Sequence, residues 1–487
     1  MRKKEKKVIF PIDIEDFHPS KGHKTDSYYA DVANKIYNTI KKKYGGALQP
    51  DIDIKKICLR IALYFEDVCS DLGYWHCFRK KHLEMYGKLL PFGWGEGDSL
   101  DEDFSLDSVQ FIVWLEATDQ VETETVRNPH SKFVEEISQT AYDILEIERK
   151  NAPANEYLLK LTQESINYDT CENIIFVFIW LTTRLYLSCW NMNSDKITRI
   201  ADHLSYVFGK AFASSAIVVY PFKAGCTPLS LQCQDFFADV LEYKGKMEQS
   251  KKVRSIKATD FQFWKIVERK DDSCVFEGLD GQRMEIKNSA FEEATVVDLP
   301  NYDILCGQFV DYGEEQFCNG LSGLYTQETW DKESGYYKID RDIDLKYQAF
   351  SEKQGTKIFF FDNVDELIEW NEKNLQIEGL KNSYQRVRER GGEFLLFMNS
   401  GHELEITSAF IDQLKSKDNP FYNPEDESLV CAFKDQNVVS SKLLRYWIDN
   451  GFMTDARYTD TRDPERGHRT VQENLDFMYR CYRRELE

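Results

Sequence analysis

The sequence contains no pair of cysteines in Cys-x-x-Cys spacing, although 12 of its 487 residues are cysteine. Such pairs hold zinc or carry redox chemistry, so the spacing supports neither kind of site. Most of these cysteines stand in apolar patterns, where a thiol acts as a small hydrophobic side chain. We therefore expect thiols rather than disulfides, which indicates a reducing compartment, the cytoplasm.

A long uncharged apolar run is also missing. The most apolar stretch, residues 174–190, has only seventeen residues and includes Thr182, Thr183 and Arg184. A membrane-spanning helix needs about 20 largely uncharged residues, so we expect no membrane span and read this stretch as a buried central helix. The first seventeen residues have a basic head but no apolar run behind it, so we expect no secretory signal.

Positive charge is scarce, since the formal net charge is −21. This balance disfavours a general binder of nucleic acid or anionic membranes, because affinity for phosphate comes mainly from Lys and Arg. Aromatic residues make up 14% of the chain, which excludes extensive disorder. A chain of this length that lacks repeats and low-complexity tracts is expected to form two to four domains.

Recognisable nucleotide and catalytic motifs are absent as well. The Gly-rich segment 93–98 lacks the Lys-Ser/Thr of a P-loop and does not join a strand to a helix. Its acidic neighbours could hold a cation, but the spacing does not fit an EF-hand, so a solvated loop is favoured. His402 and Glu403 follow a strand end without a nucleophile motif, which favours an exposed hairpin turn. We expect no cofactor.

One group of metal-binding residue types lies near Glu66, where Asp67, His76 and His82 follow within one or two helices. A carboxylate-bridged metal site needs Glu-x-x-His pairs on facing helices, and this segment has none. His76 and His82 are six residues apart and do not share a helical face. The sequence therefore predicts a charged helix surface here and no metal site.

The clearest β pattern covers residues 256–330. Three strands are predicted between residues 261 and 287, with a tight turn at Asp280-Gly281. A short strand at 294–298 and a hairpin at 303–320 complete the set. Five or six short strands are typical of a small SH3-like or OB-like β barrel. Its surface charges are mixed in sign, which favours a spacer or protein-contact role over nucleic-acid binding.

The chain as a whole is predicted to be a multidomain α+β protein. A mainly helical N-terminal domain (1–250) precedes the small β barrel (256–330), and a mixed α/β and helical C-terminal region follows (331–487). Helices are predicted at 25–44, 53–72 and 74–86, and strands around 356–362 and 393–400. Further local predictions are a short strand at 215–222, a solvated basic linker at 244–257, a polar connector at 330–348, and a helix at 407–416.

An Arg-rich segment near the C-terminus is the one candidate binding site. Residues 437–458 contain a short capped helix followed by Gly451, a pattern similar to part of a helix-turn-helix. An apolar helix face and several nearby aspartates favour a structural role for this segment. If any site on the chain binds an anion or a partner, this segment is the first candidate. The candidate residues are Arg445, Arg457, Arg462, Arg466, His468 and Arg469.

Four segments carry a resemblance to a known family: residues 18–38, 63–92, 104–114 and 419–430. They resemble an uncharacterised bacterial family catalogued as domain of unknown function 3843. The resemblance extends through the β module and so covers most of the chain. This resemblance implies a bacterial, cytoplasmic protein. It implies no activity, substrate or site residues, because none is established for that family.

Three hypotheses for function follow. The leading one is a non-catalytic cytoplasmic binding or scaffold protein with a protein partner, and a large exposed apolar patch would favour a scaffold. The second is an enzyme whose site assembles from distant residues, which a polar pocket with converging histidines and carboxylates would favour. The third is a regulator that contacts nucleic acid through the barrel or the Arg-rich segment, which a positive, aromatic surface would favour.

Overall fold

The computed structural model describes residues 7–46, 52–93, 99–120, 126–163, 171–313, 315–374, 391–398, 404–425, 429–436, 438–460 and 462–486. The chain divides into two compact units. Unit 1 comprises Met1–Glu122, Arg127–Gln327 and Arg484–Glu487, and unit 2 comprises Thr123–Val126 and Glu328–Arg483. The α+β class is confirmed, while the three predicted domain boundaries remain a prediction.

Unit 1 is helical before its sheet. The helices predicted at 25–44, 53–72 and 74–86 are confirmed. Among the described residues its helices are α1 (Pro11–Glu15), α2 (Asp26–Tyr44), α3 (Ile54–Ser70), α4 (Tyr74–Tyr86), α5 (Leu106–Asp119), α6 (Lys132–Glu148), α7 (Glu156–Gln163), α8 (Cys171–Thr183), α9 (Trp190–Phe208), α10 (Ala216–Val219), α11 (Cys233–Tyr243), α12 (Met247–Arg254) and α13 (Glu293–Asp298).

Helix α3 lies at the centre of the helical part of unit 1. The Asp53 side chain caps its start by accepting a 2.8 Å hydrogen bond from the Lys55 N–H, and Asp71 ends it in the left-handed conformation. Most of its residues are buried, including Ile57 and Ile61 on the apolar stripe and Glu66. A helix buried on most sides carries its polar groups into the interior, where they need partners.

The apolar run at 174–190 is only partly helical. Helix α8 contains its first ten residues, with Ile174, Phe178 and Leu181 fully buried. The chain then continues as buried, non-helical structure from Leu185 to Cys189 before α9 begins. No helix in the described ranges is long and apolar enough to cross a membrane.

Six antiparallel strands form the sheet of unit 1: β1 (Lys257–Ala258), β2 (Gln262–Arg269), β3 (Ser273–Gly278), β4 (Arg283–Lys287), β5 (Ile304–Tyr312) and β6 (Glu315–Tyr325). Their order is β1-β5-β2-β3-β4, and β6 pairs with the other edge of β5. The predicted turn at 280–281 is confirmed, with Gly281 at positive φ, and Gly313 within the predicted hairpin at 303–320 also has positive φ.

The predicted barrel is not confirmed, because β4 and β6 form no backbone ladder with each other in the described residues. The predicted strand at 294–298 is wrong: these residues form α13, which begins with Glu293 and leaves Val297 exposed. Acidic residues stabilise the first turn of a helix, and this effect outweighs the strand preference of the two adjacent valines.

Two further predictions for unit 1 are wrong. The expected strand at 215–222 is α10 with short 3₁₀ turns on both sides. The expected linker at 244–257 contains α12, and Arg254 at its end pairs with Asp239 and Glu242 at 2.9 Å each. Arg254 therefore holds the end of α12 against α11, although other basic residues of the segment, such as Lys251 and Lys257, are exposed.

Unit 2 combines a small sheet with helices. Its described elements are α14 (Gln327–Gln354), whose first residue belongs to unit 1, then β7 (Ile358–Phe361), α15 (Val364–Asn374), β8 (Phe394–Met398), β9 (Leu404–Thr407), α16 (Ser441–Asp449), α17 (Pro464–Gln472) and α18 (Leu475–Arg483). The strands pair antiparallel in the order β7-β8-β9, which confirms the strands predicted around 356–362 and 393–400.

Two predictions for unit 2 are wrong. The polar connector at 330–348 is part of the 28-residue helix α14. Among its described side chains only Tyr347 and Ser351 are buried, so its sequence shows no apolar helix face. Side-chain pairs four residues apart, such as Gln348 and Glu352, stabilise the helix locally. The helix predicted at 407–416 is reduced to one 3₁₀ turn at Ile411–Gln413, after Phe410 takes a positive φ.

Candidate functional site

Five polar residues from four separate segments meet inside unit 1, and we call this group the His18 cluster. His18 and His23 lie on the loop between α1 and α2, and Asp26 is the first residue of α2. Glu66 lies on α3, and Asn155 immediately precedes α7. His18, Asp26, Glu66 and Asn155 are all at most 3% exposed, whereas His23 is half-buried.

The loop is held in place by aromatic contacts and a glycine turn. The Phe17 ring stacks on the Trp190 ring, with the ring centroids 4.1 Å apart. The backbone carbonyl of Phe17 accepts a 2.8 Å hydrogen bond from Trp180 Nε1. Gly22 has a φ of +79°, a conformation that costs other residues energy. The chain thereby turns back, and His23 and Asp26 come to lie beside His18.

His18 stands between two carboxylates. Its Nε2 is 2.7 Å from Glu66 Oε2, and its Nδ1 is 3.1 Å from Asp26 Oδ1. Burial alone lowers the pKa of His18, but the carboxylates of Glu66 and Asp26 outweigh burial and raise that pKa to about 9. At neutral pH the His18 ring is therefore a buried imidazolium.

The pKa of His23 is shifted in the opposite direction to that of His18. Its ring stacks on His18 with centroids 4.5 Å apart and planes inclined by 13°. Asn155 Nδ2 donates to His23 Nδ1 at 2.9 Å, so the proton of the neutral ring lies on Nε2, which is 3.0 Å from Ser20 Oγ. Burial and the nearby positive charge of His18 lower the pKa of His23. Two adjacent imidazoles are thus one charged and one neutral.

Asn155 joins the cluster to α7. Its Nδ2 donates both to His23 and to Glu66 Oε1, each at 2.9 Å. Its Oδ1 accepts from the backbone N–H groups of Tyr157 and Leu158, which caps the helix. Since an asparagine amide has two N–H donors, both are used inside the cluster, and the side chain has one defined orientation.

The cluster contains a potential metal-ligand set. One ligand atom each from His18, His23 and Asp26 lies within 4.8 Å of the others. No other group of three His, Cys, Asp or Glu ligands is this close together in the part of the chain that the structure describes. Two imidazoles and one carboxylate are a donor set that proteins use for divalent transition metals.

A small cavity of about 20 Å³ adjoins the cluster and is lined in part by His18, Glu66, Asp67 and Tyr186. The Tyr186 hydroxyl donates to Asp67 Oδ2 at 2.5 Å. Burial raises the pKa of Asp67 to about 7, although hydrogen bonds from Tyr186 and the Trp75 N–H oppose this shift. The cavity has room for one water-sized species beside Asp67, whose pKa is close to neutral pH.

The predicted Arg-rich site lies in unit 2. Arg445, on α16, pairs with Asp449 at 3.2 Å and with Asp476 at 2.6 Å. Its guanidinium also lies 5.4 Å from the centre of the Tyr479 ring. Arg457 and Arg462 lie between α16 and α17, while Arg466, His468 and Arg469 lie on α17.

Aspartates accompany these basic residues. Burial alone raises the pKa of Asp460, but hydrogen bonds from backbone N–H groups and the guanidinium groups of Arg462 and Arg466 bring it below its usual value. Burial alone also raises the pKa of Asp455, but hydrogen bonds from Tyr422 and Lys415 bring it below its usual value. The local acids therefore offset the basic residues, and binding of an anion or partner at this segment stays a prediction.

The other histidines considered from the sequence take separate partners. His76 stacks on Tyr243, with its Nδ1 3.4 Å from Asp103, and buried His82 has its Nδ1 2.6 Å from the Lys88 carbonyl. Burial lowers the pKa of His82 to about 4. Residues 94–98 and 401–403, including His402 and Glu403, lie outside the described residues.

The His18 cluster was missed from sequence. Its signal was present, since His18, His23 and Asp26 fall within nine residues directly before a helix. Glu66 was instead compared with His76 and His82, which are closer to it along the chain. The fold pairs Glu66 with His18, 48 residues away, because the loop before α2 crosses the buried face of α3.

No curated protein and no solved structure matches the chain. A family model described as "Protein of unknown function (DUF3843)" matches residues 8–205 and 314–484, which include every residue of the His18 cluster and exclude β1–β5. The matched segments cover most of the chain, so the protein belongs to the DUF3843 family, as the resemblance implied. The expected extension of the resemblance through the β module is not matched, since residues 206–313 lie outside the matched segments.

Proposed function

We propose that this protein is a non-catalytic binding protein of the bacterial cytoplasm and that the His18 cluster binds its ligand, a small cation. The observation that carries the proposal is the meeting of two imidazoles and two carboxylates in the interior of unit 1. Buried polar groups without a packing role are commonly functional, because their burial costs free energy unless something compensates it.

The charge balance of the cluster supports a cationic ligand. Asp26 and Glu66 bring two negative charges, and among the described residues His18 is the only cation within ion-pair distance of either. The N-terminus of α2 adds about half a positive charge beside Asp26. A further positive charge at this point would therefore lower the electrostatic energy of the folded chain.

Access supports binding as well. His23 forms the outer side of the cluster and is half-buried, while His18 and Asp26 lie behind it. A ligand therefore needs to displace one ring and a short loop to enter. The cytoplasmic setting is supported by the thiols, since eight of the eleven cysteines with described side chains are buried.

Native mass spectrometry of the full chain, isolated gently from its own host, tests this proposal. We expect a stoichiometric small adduct on the folded protein that disappears on denaturation. The adduct should be lost from a His23→Gln variant and kept by a His76→Gln variant, whose substituted ring lies outside the cluster. Recovery of a bare chain, or an adduct that persists in His23→Gln, would overturn the proposal.

A second candidate is an enzyme whose catalytic groups come from distant positions. The cavity favours it, because His18, Asp67 and Tyr186 converge there and Asp67 has a pKa of about 7. A general acid or base works best when its pKa is near the working pH. Any activity found by screening hydrolytic substrates should be lost in Asp67→Asn and kept in Asp101→Asn, or this candidate fails.

A further inference from the structure

We infer that the cation bound by the His18 cluster is a divalent transition metal, with His18, His23 and Asp26 as its protein ligands. This inference rests on the proposed function and names the ligand of the same site. It follows from the donor types, the spacing of the buried atoms and the groups that hold the donors in place.

The donor types select the metal. Neutral imidazole nitrogen is a ligand for zinc, copper, iron and nickel, whereas calcium and magnesium prefer oxygen ligands. The enclosure selects size: His18 is 2% exposed, Asp26 is 3% exposed, and the three ligand atoms lie within 4.8 Å of one another. That spacing suits a single ion bound by all three atoms rather than an organic cation.

The spacing of two buried atoms fits neighbouring ligands of one ion. His18 Nδ1 and Asp26 Oδ1 lie 3.1 Å apart, are shielded from solvent and form no hydrogen bond, as judged from the described residues. Metal–ligand bonds of about 2.0–2.2 Å place adjacent ligand atoms roughly 3–3.5 Å apart. These two atoms are therefore already at the distance that coordination requires.

The surrounding hydrogen bonds match the support that metal-binding histidines usually have. With Nδ1 directed at the metal, His18 keeps Nε2 on Glu66 at 2.7 Å, which gives a carboxylate–histidine–metal arrangement. Glu66 is itself held by Thr25 Oγ1 at 3.2 Å and Asn155 Nδ2 at 2.9 Å. These contacts fix the ring and increase the basicity of the coordinating nitrogen.

Coordination by His23 requires one rearrangement. A metal lies in the plane of each imidazole that binds it, and the two rings are nearly parallel, at 13°. The His23 ring must therefore turn out of the stack, releasing Asn155 Nδ2 or Ser20 Oγ. Half-buried His23 is the ligand best placed to move, and the entering ion displaces the Nδ1 proton of His18 to solvent.

The test is a metal titration of the purified full chain after treatment with a chelator. Zinc binding is measured by calorimetry and cobalt binding by visible absorption, which reports coordination geometry independently of any activity. We expect one ion per chain. His23→Gln should lower zinc affinity by about 100-fold and Glu66→Gln by about 10- to 100-fold, in line with effects of outer-shell changes.

His76→Gln is the matched control and should change zinc affinity by less than about 3-fold, since its ring contacts Asp103 and Tyr243 instead. Circular dichroism of each metal-free variant checks that it folds. Absence of zinc and cobalt binding, or equal affinity in wild type and His23→Gln, would overturn the inference. A stoichiometric non-metal adduct in native mass spectrometry would also overturn it, but would leave the binding function standing.

Discussion

Unit 1 contains two buried clusters in which two carboxylates surround one cation. In the first, Arg60 pairs with Glu116 and with Asp119, the latter at 3.1 Å, and it is completely buried. In the second, His18 pairs with Asp26 and Glu66. Each carboxylate has no other Lys, Arg or His within ion-pair distance among the described residues. The two clusters therefore have the same formal charge and differ in the cation.

The difference lies in whether the cation can be exchanged. The Arg60 guanidinium also donates to the carbonyls of Tyr186 and Ser188 at 2.9 Å each, and it lies over the Trp190 ring at 4.0 Å. An arginine stays charged and offers no lone pair, so this cluster can only hold the fold together. A histidine can give up a proton and bind a metal, so the His18 cluster can exchange its cation.

Removal of the permanent charge should have the largest effect. An Arg60→Met substitution leaves Glu116 and Asp119 buried without a cation, and we expect it to lower the free energy of unfolding by about 3–5 kcal/mol. Urea unfolding at pH 7 measures this change. Arg283→Met, which breaks an exposed pair with Glu277, serves as control and should cost less than about 1 kcal/mol. Similar losses in both variants would contradict the structural role of Arg60.

A pH titration of stability should separate the two clusters. The folded-state pKa of His18 is about 9, above its unfolded value of 6.5, so its contribution is complete below pH 6.5 and is lost as the pH rises through 9. We expect the free energy of unfolding to fall by about 2–3 kcal/mol across this window in chelator-treated protein.

His18→Gln is the variant that tests this assignment. It should remove most of the pH dependence between 6.5 and 9, because its amide does not titrate. His82→Gln is a suitable control, since the pKa of His82 is lowered to about 4 and its titration falls outside the window. An unchanged slope in His18→Gln would show that another group causes it.

Asn155 allows the network around His23 to be tested separately from helix capping. Asn155→Ala removes both the cap of α7 and the donors to Glu66 and His23, so we expect a loss of about 2 kcal/mol. Asn155→Ser keeps a capping oxygen but loses both donors, and a loss of about 1 kcal/mol is expected. Urea unfolding of the two variants gives the difference. Equal losses would mean that the cap contributes nothing and that the donors account for the whole effect.

Much of the architecture of unit 1 was predictable because its helices and strands have strong local signals. Apolar residues at helical spacing and the glycines at 45–46 and 73 gave the approximate bounds of α2–α4, and Asp280-Gly281 gave the β3–β4 turn. Helix α14 was not predictable in this way, since few of its residues are buried and its pattern has no clear apolar face. The periodic spacing of apolar residues reflects the buried face of a helix. A helix with little buried surface therefore shows little periodicity.

The His18 cluster was hidden for a different reason. Its residues come from positions 18, 23, 26, 66 and 155, and only the first three form a local pattern. Glu66 and Asn155 join the cluster only because α3 and α7 pack against the loop before α2. Such packing is tertiary structure, which a local sequence pattern does not predict. The Arg-rich segment was visible because all its charges are close in sequence. Residues that are close in sequence could be recognised as one charged segment. The residues of the buried His18 cluster could be recognised as a group only from the three-dimensional structure.

The smallest effect is expected at that Arg-rich surface. Arg462 and Arg469 are exposed, and the aspartates nearby are exposed (Asp455) or half-buried (Asp460 and Asp463). A double Arg462→Ala, Arg469→Ala variant should therefore change the free energy of unfolding by less than about 0.5 kcal/mol. Urea unfolding with and without inorganic phosphate measures this change and any anion effect together. If phosphate stabilises the wild type but not the variant, the segment binds anions and the contrast between exposed and buried charge must be revised. If phosphate acts equally on both, these two arginines do not bind phosphate, and the contrast between this exposed segment and the buried His18 cluster stands.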